Sequence, residues 1–149
     1  MKKICSILLM SIITLSSCKQ SGKHEHDHDD AANTDNPNQA LYDQVMDIHD
    51  EIMPKVEDVY QLKKQLQEKM ASATDLAIDK KQELELIVNQ LDSSDNLMMD
   101  WMHKFNPLPD SADQEKARAY LESEMEKIKK VKEFMNESIE KAKAEVAKK

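Results

Sequence analysis

The chain has almost no glycine. Gly22 is the single glycine among 149 residues, and aromatic residues make up only 4% of the chain. A chain without glycine cannot easily form phosphate-binding loops or tight turns, because these need backbone angles that other residues avoid. Charged residues reach 34%, and this combination is typical of long amphipathic helices. The composition therefore predicts an all-α fold and disfavours a glycine-rich nucleotide site.

The first 17 residues contain no acidic residue and are typical of a lipoprotein signal peptide. Lys2 and Lys3 supply the positive start, and the apolar run from 4 to 15 follows them. A run of roughly a dozen residues is too short to span a bilayer, which needs about 20. We therefore expect residues 1–17 to be removed during export.

Cysteine is scarce, and its position carries a prediction. The segment Leu15-Ser16-Ser17-Cys18 matches the lipobox, in which small residues precede a cysteine whose thiol takes a diacylglycerol group. An ordinary signal peptide followed by a chance cysteine is the alternative. Two lipid chains on Cys18 would anchor the protein stably. Cys5 would leave with the signal, so the mature chain would have no free thiol and no disulfide.

Basic residues are outnumbered by acidic ones. The chain has 21 Lys and Arg against 29 Asp and Glu, a net charge of −8, and loss of the signal lysines would bring it to about −10. Such a charge argues against nucleic acid as a partner, and against a membrane contact other than the lipid anchor. Position 19 is Lys rather than Asp, which favours the outer membrane, on its periplasmic face or at the cell surface.

Residues 18–36 form a polar segment without apolar periodicity, which we expect to be a disordered tether. It contains His24, His26 and His28, interleaved with acidic residues. Alternating imidazole and carboxylate groups can bind zinc or copper. The alternative is a solvated spacer that holds the protein body away from the membrane.

Apolar residues recur every three or four positions through the rest of the chain, which predicts helices at about 37–70, 75–105 and 111–147. Three helices of similar length with short connections fit an elongated antiparallel three-helix bundle, coiled-coil-like in its packing. The alternative is an extended coiled coil that pairs with a second chain. A second stripe on the first helix ends at Tyr60, and the stripe of the second helix begins at Ala77. The main stripe of the first helix is Leu41, Val45, Ile48, Ile52, Val56, Val59, Leu62, Leu66 and Met70.

Several residues mark the ends of these helices. Asn36 and Pro37 are expected to start the first helix as its cap and first position. Ser72 or Thr74 is the expected cap of the second. Pro54 should kink the first helix, since proline removes a backbone hydrogen bond. The segment from Ser111 to Gln114 resembles a capping box and should open the third helix.

A second group of candidate ligands lies on the helices. Met46, His49 and Met53 share one helical face, and the methionine-rich segment 98–105 should lie opposite them in an antiparallel pair. That segment adds ligand candidates around the tryptophan, namely Met99, Met102 and His103. Thioether and imidazole ligands together select Cu(I), and an indole can add a cation–π contact. The alternatives are ordinary core packing by methionine and haem ligation by Met and His.

Catalytic motifs are missing from the sequence. It contains no metalloprotease HExxH, no nucleophile elbow and no phosphate loop. The residue three before His49 is Met46 rather than glutamate, which disfavours a di-iron bundle. We therefore expect a protein that is not an enzyme.

Two segments resemble a known group of proteins. Val45-Met46-Asp47-Ile48-His49-Asp50-Glu51-Ile52-Met53-Pro54-Lys55 and Met98-Met99-Asp100-Trp101-Met102-His103-Lys104-Phe105 are similar to segments of small lipoproteins from Bacteroidetes. Some of these proteins carry the label "viral A-type inclusion protein", which reflects generic coiled-coil similarity. The resemblance is clearest from about residue 41 to residue 105. It implies an envelope lipoprotein and no particular activity.

Three functions fit these observations. The first is a lipid-anchored envelope protein that binds or scaffolds without catalysis. The second is a copper or zinc protein of the periplasm or cell surface. The third is a coiled-coil adaptor whose apolar stripes pair with a partner protein or with a second copy of the chain.

Overall fold

A computed structural model describes residues 36–148, and all regular structure in that range is helical. The four helices are α1 (Gln39–Ile52), α2 (Lys55–Ser72), α3 (Ile78–Lys104) and α4 (Gln114–Ala147). The predicted all-α bundle is confirmed for this part of the chain. Among the described helices, none combines the length and the apolar character that a membrane span requires. The predicted signal peptide, Cys18 and the tether histidines His24, His26 and His28 lie outside the described residues.

The predicted first helix is divided into α1 and α2 at Pro54. Met53 still donates its backbone N–H to the carbonyl of His49, at 2.8 Å. Pro54 has no N–H to continue the pattern, and it stands at the N-cap of α2 with a φ of −62°. Proline is well suited to the start of a helix because its ring fixes φ near this value. Together α1 and α2 form one bent arm, with the bend at the expected position.

The arm runs parallel to α4 and antiparallel to α3. Lys55 near the start of α2 donates to Asn136, and Lys69 near its end donates to the carbonyl of Glu145. Residue numbers thus rise together along the arm and α4. The arm and α3 run in opposite directions, and Lys63 of α2 donates to Asp92 of α3 at 2.6 Å. The bent arm, α3 and α4 therefore run up, down and up, as predicted for an antiparallel three-helix bundle. Helix α4 contacts each of the other helices.

One elongated core runs through the bundle, because the bent arm, α3 and α4 turn their apolar stripes toward one another. Within the described range, the three apolar stripes therefore pack against one another inside a single chain. Three residues of the predicted apolar stripes, Tyr60, Ala77 and Met102, are exposed, so their assignment to the core was wrong. The buried apolar residues are Val45, Ile52, Val59, Leu62, Leu66, Leu84, Ile87, Val88, Leu91, Met98, Trp101, Ala117, Leu121, Met125, Ile128, Val131, Met135, Ile139 and Ala142.

The cap of α4 is Asp113, not the predicted Ser111. The Asp113 carboxylate accepts the backbone N–H of Lys116 at 3.0 Å, which is the usual bond between an N-cap and the third helical residue. Ser111 instead lies within a turn in which Ala112 donates to the carbonyl of Pro109 at 2.8 Å. The turn that follows the prolines therefore delays the helix start to Gln114.

Two other helix starts also differ from the predictions. Asn36 and Pro37 lie in a turn before α1, where the side-chain oxygen of Asn36 accepts the N–H of Asn38. Neither Ser72 nor Thr74 caps α3, which begins at Ile78 after the loop 73–77. The N-cap of α3 is Ala77, which has no side-chain oxygen to accept a bond.

Candidate functional site: a methionine–aromatic face between α1 and α3

Helical spacing places eight methionine, histidine and aromatic side chains along the boundary between α1 and α3. Four belong to α1 and its end, at intervals of three or four residues. Four belong to α3 and its end, at the first, fourth, fifth and eighth positions of a stretch of eight residues, so each set shares one helical face. We call this set the methionine–aromatic face: Tyr42, Met46, His49 and Met53 on the α1 side, with Met98, Trp101, Met102 and Phe105 on the α3 side.

Ring contacts show that the two halves of the face meet. The rings of His49 and Trp101 have centroids 6.0 Å apart, and those of Tyr42 and Phe105 are 6.1 Å apart. Trp101 and Phe105 stack on each other at 4.8 Å. The antiparallel register predicted for the methionine-rich segments is therefore confirmed. These contacts are within the range in which aromatic pairs stabilise beyond their buried area.

Large side chains are needed here because the two helices stand apart. Over the described helices, no Cα atom of α1 comes within 8 Å of a Cα atom of α3. The bend at Pro54 separates α2 from α1, and α1 is the part of the arm that runs beside the end of α3. Methionine and aromatic residues fill the wider space, which is the role that a flexible thioether suits well.

Burial differs from residue to residue across the face. Met98 is fully buried and Trp101 is 5% exposed, whereas Met102 is 36% exposed. Met53 and Met99 are half-buried against the core. The face thus leads from the bundle core to solvent and exposes a thioether group at its outer edge. The candidate ligands are accordingly divided between core and surface, which spacing along the helices does not determine.

The two candidate histidines have different surroundings. His49 is 17% exposed, and its Nδ1 lies 2.7 Å from a carboxylate oxygen of Asp50. That contact leaves Nε2 as the nitrogen with a free lone pair. His103 is exposed and donates its Nδ1–H to the carbonyl of Met99 in its own helix at 2.7 Å. The structure therefore brings His49 to the methionine–aromatic face, and it places His103 on the exposed surface of α3.

Trp101 carries an unusual polar atom. Its indole Nε1 is buried, and within residues 36–148 it has no hydrogen-bond partner. A buried N–H group normally has a partner, because losing its bond to water costs about 1–3 kcal/mol. The only tryptophan of the chain thus lies in the candidate site with an indole N–H that no described residue accepts.

Sequence reasoning missed the polar end of this region. Asn38 is buried, and its side-chain amide donates to both the carbonyl and the side-chain oxygen of Gln114, at 3.0 and 2.9 Å. Tyr120 stacks on Phe105 and accepts the backbone N–H of Asn106. A cavity of about 200 Å³ lies beside these residues. No local signal identifies Asn38, because its partner is more than seventy positions away. We call the rings of Tyr42, Trp101, Phe105 and Tyr120 the aromatic end of the bundle.

The opposite end of the bundle is held by charge. Lys80 donates to the buried carboxylate of Glu145 at 2.6 Å, and Lys148 also donates to it. Lys69 donates to the backbone carbonyls of Glu145 and Lys148, each at 2.7 Å. Lys148 and then Lys80 lower the pKa of the Glu145 carboxyl from 4.5 to about 2. We call these four residues the lysine end.

Metal-binding groups of the ordinary oxygen, nitrogen and thiolate type do not cluster anywhere in residues 36–148. Within that range, no three His, Cys, Asp or Glu side chains come together. Comparison of the chain with protein-family models, with curated proteins and with solved structures gives no match. The similarity to lipoproteins of Bacteroidetes and the metal assignments of both clusters stay predictions.

Proposed function

We propose that this protein is a lipid-anchored protein of the bacterial envelope that acts by binding a ligand and not by catalysis. The lipobox at Cys18 and the short apolar signal support the anchor. Lys19 supports an outer-membrane address. Anchoring by two lipid chains would hold the acidic helical body near a bilayer without inserting it.

The methionine–aromatic face is the proposed binding surface. The observation that carries the proposal is the burial gradient from Met98 to Met102, with the N–H of Trp101, which has no partner within residues 36–148, between them. Met102 presents a thioether at the outer edge, and methionine adapts its shape to varied partners. A ligand on this face would cover apolar area that solvent now reaches, which favours binding.

Methionine oxidation tests this surface whatever the chemical nature of its ligand. Mild peroxide converts exposed methionine to the sulfoxide, and mass spectrometry measures the change at each position. We expect Met46 and Met102 to oxidise several-fold more slowly in the intact envelope than in the purified protein. Met70, half-buried at the other end of the arm, is the matched control and should oxidise equally in both. If each of the three methionines oxidised at the same rate in the envelope as in the purified protein, the proposal would be contradicted.

The anchor is tested separately by Cys18→Ser. The substituted chain should leave the membrane fraction, whereas Cys5→Ser should stay in it. Retention of the Cys18→Ser chain in the membrane fraction would show that the lipid is not the anchor.

A further inference from the structure

We propose that the methionine–aromatic face binds Cu(I), with His49 Nε2 and the thioether sulfurs of Met46 and Met53 as its ligands. This inference rests on the proposed binding function and names the chemical class of its ligand. Met46, His49 and Met53 are separated by three and four residues, and all three are half-buried on one side of α1. Side chains with this spacing can share one ion.

His49 has the orientation that a metal-binding imidazole needs. Its Nδ1 lies 2.7 Å from Asp50 Oδ1, and the carboxylate fixes the proton on Nδ1. Nε2 then carries the free lone pair. Histidines that bind metals usually make this second contact to a carboxylate, which orients the ring and makes the ligating nitrogen more basic.

The remaining ligands select the metal. Thioether sulfur is a soft ligand that favours Cu(I) over Zn²⁺, which prefers thiolate, imidazole and carboxylate. Trp101 lies against His49 with ring centroids 6.0 Å apart, so its indole ring would be close to the bound ion and could add a cation–π attraction. Met102 lies on the opposite helix, at the exposed edge of the same face, where it could supply a further sulfur.

Trp101 also supplies the measurement. It is the only tryptophan, so quenching of its fluorescence by Cu(I) detects binding at this face. The full chain would be titrated in mild detergent under reducing conditions, against a chromophoric Cu(I) chelator. Cys5→Ser, Cys18→Ser, His24→Ala, His26→Ala and His28→Ala would be present throughout, so that neither thiols nor the predicted tether contribute. We expect one Cu(I) per chain, bound more tightly than micromolar, and much weaker binding of Zn²⁺.

Matched variants assign the ligands. His49→Ala and the pair Met46→Leu with Met53→Leu should each weaken Cu(I) binding by at least about tenfold. His103→Ala removes an exposed histidine, and Met135→Leu replaces a core methionine by a residue of similar volume, so neither should change the affinity. Circular dichroism would verify that each variant is folded.

Three results would overturn the copper proposal: Cu(I) affinity weaker than micromolar, equal losses for His49→Ala and His103→Ala, or Zn²⁺ binding as tight as Cu(I). If one of these occurred while Met46 and Met102 were still protected in the envelope, the face would bind a different ligand. If the protection itself were missing, the proposed binding function would fail as well.

Discussion

The two ends of the bundle are closed by different kinds of contact. At the aromatic end, the ring of Tyr42 lies tilted against that of Phe105, which stacks on Trp101, and the contact of Tyr42 connects helices whose backbones stand apart. At the lysine end, Lys69, Lys80 and Lys148 converge on the last turns of α4 through charged hydrogen bonds. Ring contacts join broad apolar surfaces, whereas charged hydrogen bonds join single atoms at short distances.

The difference between the two ends favours a ligand at the aromatic end and not at the lysine end. The lysine end satisfies its charges internally, and cations near the C-terminus of a helix are favoured by the helix dipole. The aromatic end keeps a buried N–H without a partner among the described residues, and the adjoining methionine–aromatic face exposes Met102. An end with polar groups already paired has little to offer a ligand, while an exposed thioether among adaptable side chains can gain from one.

Removal of the central ring of the aromatic end should have the largest effect. Trp101→Ala is expected to lower the free energy of unfolding by about 3–5 kcal/mol, because it leaves a cavity between α1 and α3. Urea unfolding followed by far-ultraviolet circular dichroism measures this without the tryptophan signal. Trp101→Phe keeps the ring contacts and loses an N–H that has no partner within residues 36–148, so it should cost much less. Equal losses in the two variants would mean that the ring contacts do not hold this end together.

Removal of the central charge of the lysine end should cost less. Glu145→Gln keeps the shape of the side chain and weakens its bonds to Lys80 and Lys148, so we expect a loss of about 1.5 kcal/mol. Glu140→Gln is the matched control on the same helix, since Glu140 is exposed and its pair with Lys143 is worth little. A loss for Glu145→Gln as large as that for Trp101→Ala would remove the distinction between the two ends.

Acid should weaken the lysine end, with the smallest effect of the three changes. The folded-state pKa of Glu145 is lowered to about 2 from 4.5. Its contribution to stability is therefore fully present above pH 4.5 and is lost as the pH falls toward 2. The difference in unfolding free energy between the natural chain and Glu145→Gln should shrink by up to about 1 kcal/mol over this range. A constant difference would show that the charge of Glu145 is not what stabilises this end.

Regular spacing made the helices and their register predictable. The stripe through Val45, Ile52 and Leu66 is buried as expected, because positions three and four apart must share a face of a helix. The same regularity predicted that the methionines of α1 would lie opposite Trp101. Pro54 marked the bend, since its effect is local and covalent.

Contacts between distant residues were not predictable in the same way. The sequence around Glu145 is typical of a solvated helix surface, and the residue is buried because Lys69 and Lys80 reach it from two other helices. Asp113 and Ser111 are both good caps, and the turn after Pro109 decides between them. The graded burial of Met98 and Met102 depends on how far α1 stands from α3, which spacing along one helix does not determine.

The position of α4 has a consequence for the order in which the protein can assemble. Among the described helices, the backbone of α1 comes close only to α4 and to its chain neighbour α2, whereas α3 reaches α1 through side chains such as Trp101. Helix α4 is the last of the four. A ribosome synthesises the arm and α3 first, so α1 meets its main partner only when residues 114–147 follow. Much of the core must therefore wait for the final quarter of the chain. Such late closure would leave the apolar face of α1 largely uncovered until α4 is made.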